Sequence, residues 1–240
     1  MKLSEIYSFL NELSPFELAE GWDNSGLIVG DMGATIETVY LSLEPTFEVV
    51  SAIGEGSLLV THHPLIFSPL KKLDFSDATV RTICLAVQKN ISIVAMHTNY
   101  DKTHLNEYFA TNVMGFNSVS KDGFLVYADV DTEFGDLAES VKQKLGLSVI
   151  NCVEKTGKIK KVAIVTGSGA SFLNKVNADC LITGDIKYHD AVNAKEAGIG
   201  VIDVTHYASE AVFCDSMLEN LKILPIRVII SNSKNPLKFF

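Results

Sequence analysis

Leu3, Ile6, Leu10 and Leu13 recur at helical spacing and predict an amphipathic first helix, with Ser4 as its cap. A turn-rich stretch, GWDNSGLIVGDMG, follows it. Next, TVYLSLEP reads as a strand, PTFEVVSAIGEG as a helix closed by glycine, and SLLVTHHP as a buried strand running into a histidine-rich loop. DATVRTICLAVQKN predicts a helix, ISIVAM a strand and THLNEYFATNVMG a helix ending at Gly115. GFLVYADV and FGDLAESVKQKLG predict a strand or two and a helix. Beyond them, KKVAIVTG, ADCLITGD, IGVIDVTH and IRVII read as strands. ASFLNKVN, KYHDAVNAKEAG and YASEAVFCDSMLENL read as the intervening helices. Strands alternating with helices predict an α/β fold, and the unbroken apolar runs SLLV, ISIV and VAIV predict largely parallel sheet covered on both faces.

The pattern divides the chain into a first α/β lobe over 1–116, a short connecting segment over 117–150 and a second lobe over 151–240. The lobes are expected to be tightly interlinked, with the site between them. Both share an element order. TVYLSLEPTFEVVSAIGEGSLLVTHHPL parallels KKVAIVTGSGASFLNKVNADCLITGDIKYH, and ISIVAMHTNYD parallels IGVIDVTHYASE. In each half an apolar strand ends at a His followed four residues later by a carboxylate: His97 with Asp101, and His206 with Glu210. That repetition predicts a duplicated unit.

Five of the six histidines, His62, His63, His97, His189 and His206, follow strand ends. In α/β folds the loops there line the binding crevice, so this clustering predicts a metal or catalytic site. Imidazole with carboxylate suits zinc, iron or manganese, and a metal pair would lower the pKa of a bound water toward ~7. Asp185 reads as a helix cap, an orienting group for a histidine or a direct ligand, and WDNSG as a turn. VTGSGAS is a weak candidate anion loop. Tyr188, Tyr207 and Phe67 read as packing residues.

Composition narrows the function classes. Mean hydropathy is +0.22 over 240 residues, too apolar for a disordered chain. The net charge of -9 argues against a general nucleic-acid binder. Four dispersed cysteines read as reduced, buried thiols. No apolar run approaches the roughly 18 residues of a membrane span, so a cytoplasmic protein is expected.

WDNSGLIVG, THHPLIF, HTNYD, TGDIKYHD and THYASE, in this order, resemble the GTP cyclohydrolase I type 2 homologues, the NIF-three-like dinuclear metal proteins. The resemblance spans about residues 2–230. It implies two intertwined α/β lobes, a toroidal homohexamer and two divalent cations per subunit. It implies His62, His63, Asp101, His206 and Glu210 as metal ligands, with Glu210 as the bridging carboxylate, and His97 and His189 as further pocket histidines able to move protons. The activity it implies is hydrolysis of GTP to dihydroneopterin triphosphate and formate. The same residues also suit a two-metal phosphoesterase on nucleotides or nucleic-acid ends, or a non-catalytic metal-binding regulator.

Overall fold

A computed structural model of the chain describes residues 1–231 and 233–238. In chain order it contains α1 (Leu3–Leu13), β1 (Gly26–Val29), β2 (Thr38–Ser42), α2 (Phe47–Ala52), β3 (Leu58–Thr61), α3 (Ala78–Gln88), β4 (Ser92–Ala95) and α4 (Thr98–Tyr100). Then come α5 (Asn106–Tyr108), flanked by π-helical turns over Asp101–Leu105 and Phe109–Val113, and β5 (Val119–Asp122), β6 (Leu125–Glu133), α6 (Phe134–Lys144) and β7 (Asn151–Val153). The remainder is β8 (Lys158–Ser168), β9 (Cys180–Gly184), α7 (Tyr188–Glu196), β10 (Gly200–Asp203), α8 (His206–Glu210), α9 (Phe213–Leu221) and β11 (Arg227–Ile230).

Local chemistry accounts for most of these elements. The apolar stripe of α1 buries Leu3, Ile6 and Leu10. Its N-cap is Lys2 rather than Ser4, because the Lys2 amide donates to Glu5 Oε2 at 2.7 Å. Thr46 caps α2 and Asp77 caps α3, each accepting from the amide three residues on. All residues of β3, β4, β9 and β10 are buried, as their unbroken apolar runs require.

The chain forms two compact units. The first comprises Met1–Tyr100 and Phe213–Phe240, the second Asp101–Val212. The first holds a five-stranded sheet ordered β1-β4-β3-β2-β11, in which β1 alone is antiparallel to its neighbour. The second holds a six-stranded sheet ordered β5-β6-β8-β9-β10-β7, with β8, β9 and β10 parallel. Each contains a run of three consecutive parallel strands, β2-β3-β4 and β8-β9-β10, whose third strand lies against an antiparallel one, β1 and β7.

These boundaries differ from those the pattern suggested. Residues 117–150 form no connecting segment: β5 and β6 belong to the second sheet, and α6 packs Phe134, Leu137 and Val141 into the second unit's core. The C-terminal segment returns to the first unit, since β11 pairs in parallel register with β2, Arg227 opposite Thr38. Ladder hydrogen bonds and side-chain fit decide that pairing, and neither is visible as local periodicity. ASFLNKVN makes only a short turn of 3-10 helix, Ala170–Phe172, being too short and too rich in asparagine to repay helix nucleation. YASEAVFCDSMLENL is two helices, α8 and α9, parted at Ala211 and Val212.

Candidate functional site

In the first unit, β2, β3 and β4 run parallel, and Glu44, the His62–His63 pair and His97 follow their carboxyl ends. The three rings form a nearly equilateral triangle, with centroids 5.0, 5.2 and 5.3 Å apart. One ligand nitrogen from each lies within 4.8 Å of the others, so the group could hold a metal ion. Each Nδ1 is engaged: His62 on the Met96 carbonyl at 2.8 Å, His63 on Glu44 Oε1 at 2.5 Å and His97 on Asp23 Oδ1 at 2.7 Å. A carbonyl or carboxylate there holds the Nδ1–H, which makes Nε2 the nitrogen for ligation in His62 and His63 and for ligation or proton transfer in His97.

Asp23 lies in WDNSG, which the sequence marked only as a turn. Its side chain is fully buried and accepts from His97 Nδ1, from the Thr98 amide and hydroxyl, and from the Ser25 hydroxyl. Burial alone would raise its pKa. The hydrogen bonds from His97 and Thr98, with the imidazole's charge and Ser25, outweigh that and hold the carboxyl well below the usual carboxylate range. Glu44 was likewise missed: nothing within TVYLSLEP distinguishes it from a solvated glutamate.

The second unit builds a related group from the ends of β8, β9 and β10. His206 opens α8, with its Nδ1 on Asp185 Oδ2 at 2.6 Å and its Nε2 2.9 Å from Glu210 Oε2, one helical turn on. Two ligand atoms each about 2.1 Å from a shared cation lie roughly 3 Å apart, so this pair fits common ligation. Glu210 is 3% exposed. Beside it, Gly167 in β8 has a φ of +65°, and a Cβ there would run into the Glu210 carboxylate. Asp203 is 6% exposed and accepts from the Ile186 and Thr205 amides, clipping the loops that present Asp185 and His206.

The other sequence candidates fall as follows. Asp101 opens the first π-helical turn of the second unit and is buried. His189 lies exposed on α7 with its ring edge-on to Tyr188 at 5.3 Å. Asp185 orients His206, and the α7 cap is Lys187 instead. VTGSGAS is no anion loop: the Gly167 amide donates to Ser209 Oγ and the Gly169 amide to Thr183 Oγ1. All four cysteines are free thiols; Cys180 and Cys214 are buried, whereas Cys152 is exposed on an edge strand. Phe67 and Tyr188, expected to be packed, are exposed. Among the described residues no helix is long and apolar enough to cross a membrane.

The profile of the Duf34/NIF3 (NGG1p interacting factor 3) family matches residues 1–236. The chain belongs to that family. A relative of this NIF3 chain from Campylobacter jejuni, named GTP cyclohydrolase 1 type 2 homolog, is 47% identical over the full length of both. A Helicobacter pylori relative named GTP cyclohydrolase 1 type 2 is 44% identical over 98% of each chain. The crystal structure of a Staphylococcus aureus hypothetical protein superimposes with a TM-score of 0.89 at 28% identity, covering 100% of this chain and 99% of that one. A Bacillus cereus protein related to NIF3 shares the fold with a TM-score of 0.87 at 21% identity, again over 100% and 99%.

Proposed function

We propose that this NIF3 chain is a divalent-metal-dependent GTP cyclohydrolase. In this reading His62 and His63 of the first unit and Asp101, His206 and Glu210 of the second hold two cations, zinc, iron or manganese. What supports it is the tethering of imidazole Nδ1 atoms: His62 on a backbone carbonyl, and His63 and His206 on the carboxylates of Glu44 and Asp185. That bracing is characteristic of metal-ligating histidines. The full-length likeness to a relative named GTP cyclohydrolase 1 type 2 supports the choice of nucleotide.

The cations, when bound, supply Lewis-acid polarisation and make water a better nucleophile at neutral pH. The chain's own residues do the rest. His97, braced by the buried Asp23, takes a proton on Nε2 as water adds to C8 of the guanine, and returns it to the purine nitrogen that leaves C8. His97 is preferred to His189 as proton carrier because, among the described residues, no carboxylate braces the exposed His189 ring. A second water would then hydrolyse the resulting formamide, breaking the remaining nitrogen–C8 bond and releasing formate, and rearrangement and ring closure with loss of water would give dihydroneopterin triphosphate. A homohexameric toroid in the cytoplasm belongs to the same proposal; light scattering of the purified chain tests the assembly.

The deciding experiment is product analysis of GTP incubated with metal-loaded protein and with Glu210→Gln. Formate with triphosphate retained, lost together with metal in the variant, is expected. Inorganic phosphate alone would mean a phosphoesterase. Tight metal without turnover would mean a regulator.

A further inference from the structure

We infer that Trp22 and Phe67 form the platform on which a purine base stacks beside His97; this deepens the proposed nucleotide chemistry and rests on it. Trp22 is the chain's single tryptophan and is 60% exposed, and Phe67 is 55% exposed. A tryptophan usually buries most of its large apolar surface, so an exposed one beside a second exposed ring marks a surface built to be covered. The two rings lie 5.8 Å apart, tilted by 46°. Each also stands edge-on to His97, at 6.0 and 6.4 Å. The aromatic surface is therefore continuous with the imidazole triangle.

The platform is braced. Trp22 precedes Asp23, whose amide donates to the Glu20 carbonyl at 2.9 Å and whose carboxylate carries the hydrogen bonds from His97, Thr98 and Ser25. Asn24 Nδ2 donates to the Ile66 carbonyl at 2.6 Å, tying this turn to the loop that carries Phe67. A ring held this way loses little freedom when a ligand covers it.

The occupant follows from the geometry. A base sandwiched between two rings needs roughly 7 Å, twice a carbon contact distance, so 5.8 Å leaves no room between them. The base lies instead across the exposed surface that Trp22 and Phe67 share, with its edge toward His97. Stacking on an aromatic face accepts any purine, so the platform supplies affinity for the base while the imidazoles act on it.

The lone tryptophan makes the test direct. The intact, metal-loaded protein is titrated with GTP, ATP and inorganic tripolyphosphate at constant ionic strength while Trp22 emission is followed. Both nucleotides are expected to quench it and tripolyphosphate is not. Phe67→Leu is expected to weaken GTP binding about tenfold with metal content and Tm unchanged, and Phe67→Tyr to restore it. Equal responses to all three ligands, no response to any, or wild-type affinity in Phe67→Leu would overturn the platform. So would an emission maximum that moves with protein concentration and not with nucleotide, which would mean that a second copy covers these rings. Quenching by GTP without formate release leaves the platform standing and removes the cyclohydrolase assignment. Formate release without quenching does the reverse.

Discussion

Asp23 Oδ1 accepts a hydrogen bond from His97 Nδ1 at 2.7 Å, joining a turn near the N-terminus to a residue 74 positions later, after β4. The carboxylate fixes which imidazole nitrogen keeps its proton. It also draws stability from the same contact, which makes its removal testable in two ways.

Asp23→Asn is expected to lower GTP turnover about 10- to 100-fold, the usual cost of removing a carboxylate that orients a site histidine. Its stability effect has a defined pH dependence. The folded-state pKa lies below the unfolded value of about 3.9, so the stabilisation is fully present above that value and drains away as pH falls through the folded one. Urea denaturation should show wild type more stable than Asp23→Asn at pH 7, with the gap closing below about pH 4. A gap independent of pH would contradict this account.

Gly167→Ala combines backbone strain with a collision against Glu210. Gly56 has nearly the same φ, +64°, with nothing near its absent Cβ, so Gly56→Ala isolates the strain. Both substitutions should cost on the order of 1 kcal/mol for the left-handed conformation alone. Only Gly167→Ala should also lose bound metal by elemental analysis. Equal metal content in the two variants would show that Glu210 has room to move.

Asp203→Ala removes the acceptor of two amides, those of Ile186 and Thr205. Leaving a fully buried donor unsatisfied costs about 1–3 kcal/mol, and these two partly buried amides should cost toward the lower end each. The expected result is a Tm lower by several degrees and weaker metal retention, as the loops carrying Asp185 and His206 loosen. Asp203→Asn, which keeps one acceptor oxygen, should fall between it and wild type.

Three of the four thiols should divide into two groups. Burial pushes the Cys214 thiol up to about 12, which leaves roughly one molecule in 10,000 as thiolate at pH 8, and burial raises Cys180 as well. Cys152 is accessible. Iodoacetamide followed by peptide mass spectrometry should label Cys152 first and reach Cys180 and Cys214 only after unfolding. Early labelling at Cys214 would mean that α9 opens locally in the native state.

Periodicity along the chain determined the parallel strands of both sheets and the long helices α1, α3, α6 and α7, because the spacing of buried positions is a property of local sequence. The HHP, His-x-x-x-Asp and His-x-x-x-Glu segments named the residues here proposed as ligands for the same reason: a strand end and a single helical turn are short-range geometry. Only the tertiary structure decided that β11 joins the first sheet, that residues 117–150 are built into the second, and which carboxylates hold the imidazoles. Asp23 reaches His97, Glu44 reaches His63 and Asp185 reaches His206 across gaps of 74, 19 and 21 residues. An aspartate in a turn looks the same in sequence whether it faces water or a buried ring. Strand order places the ring beside it, and strand order is set by ladder pairing and by the packing of entire faces.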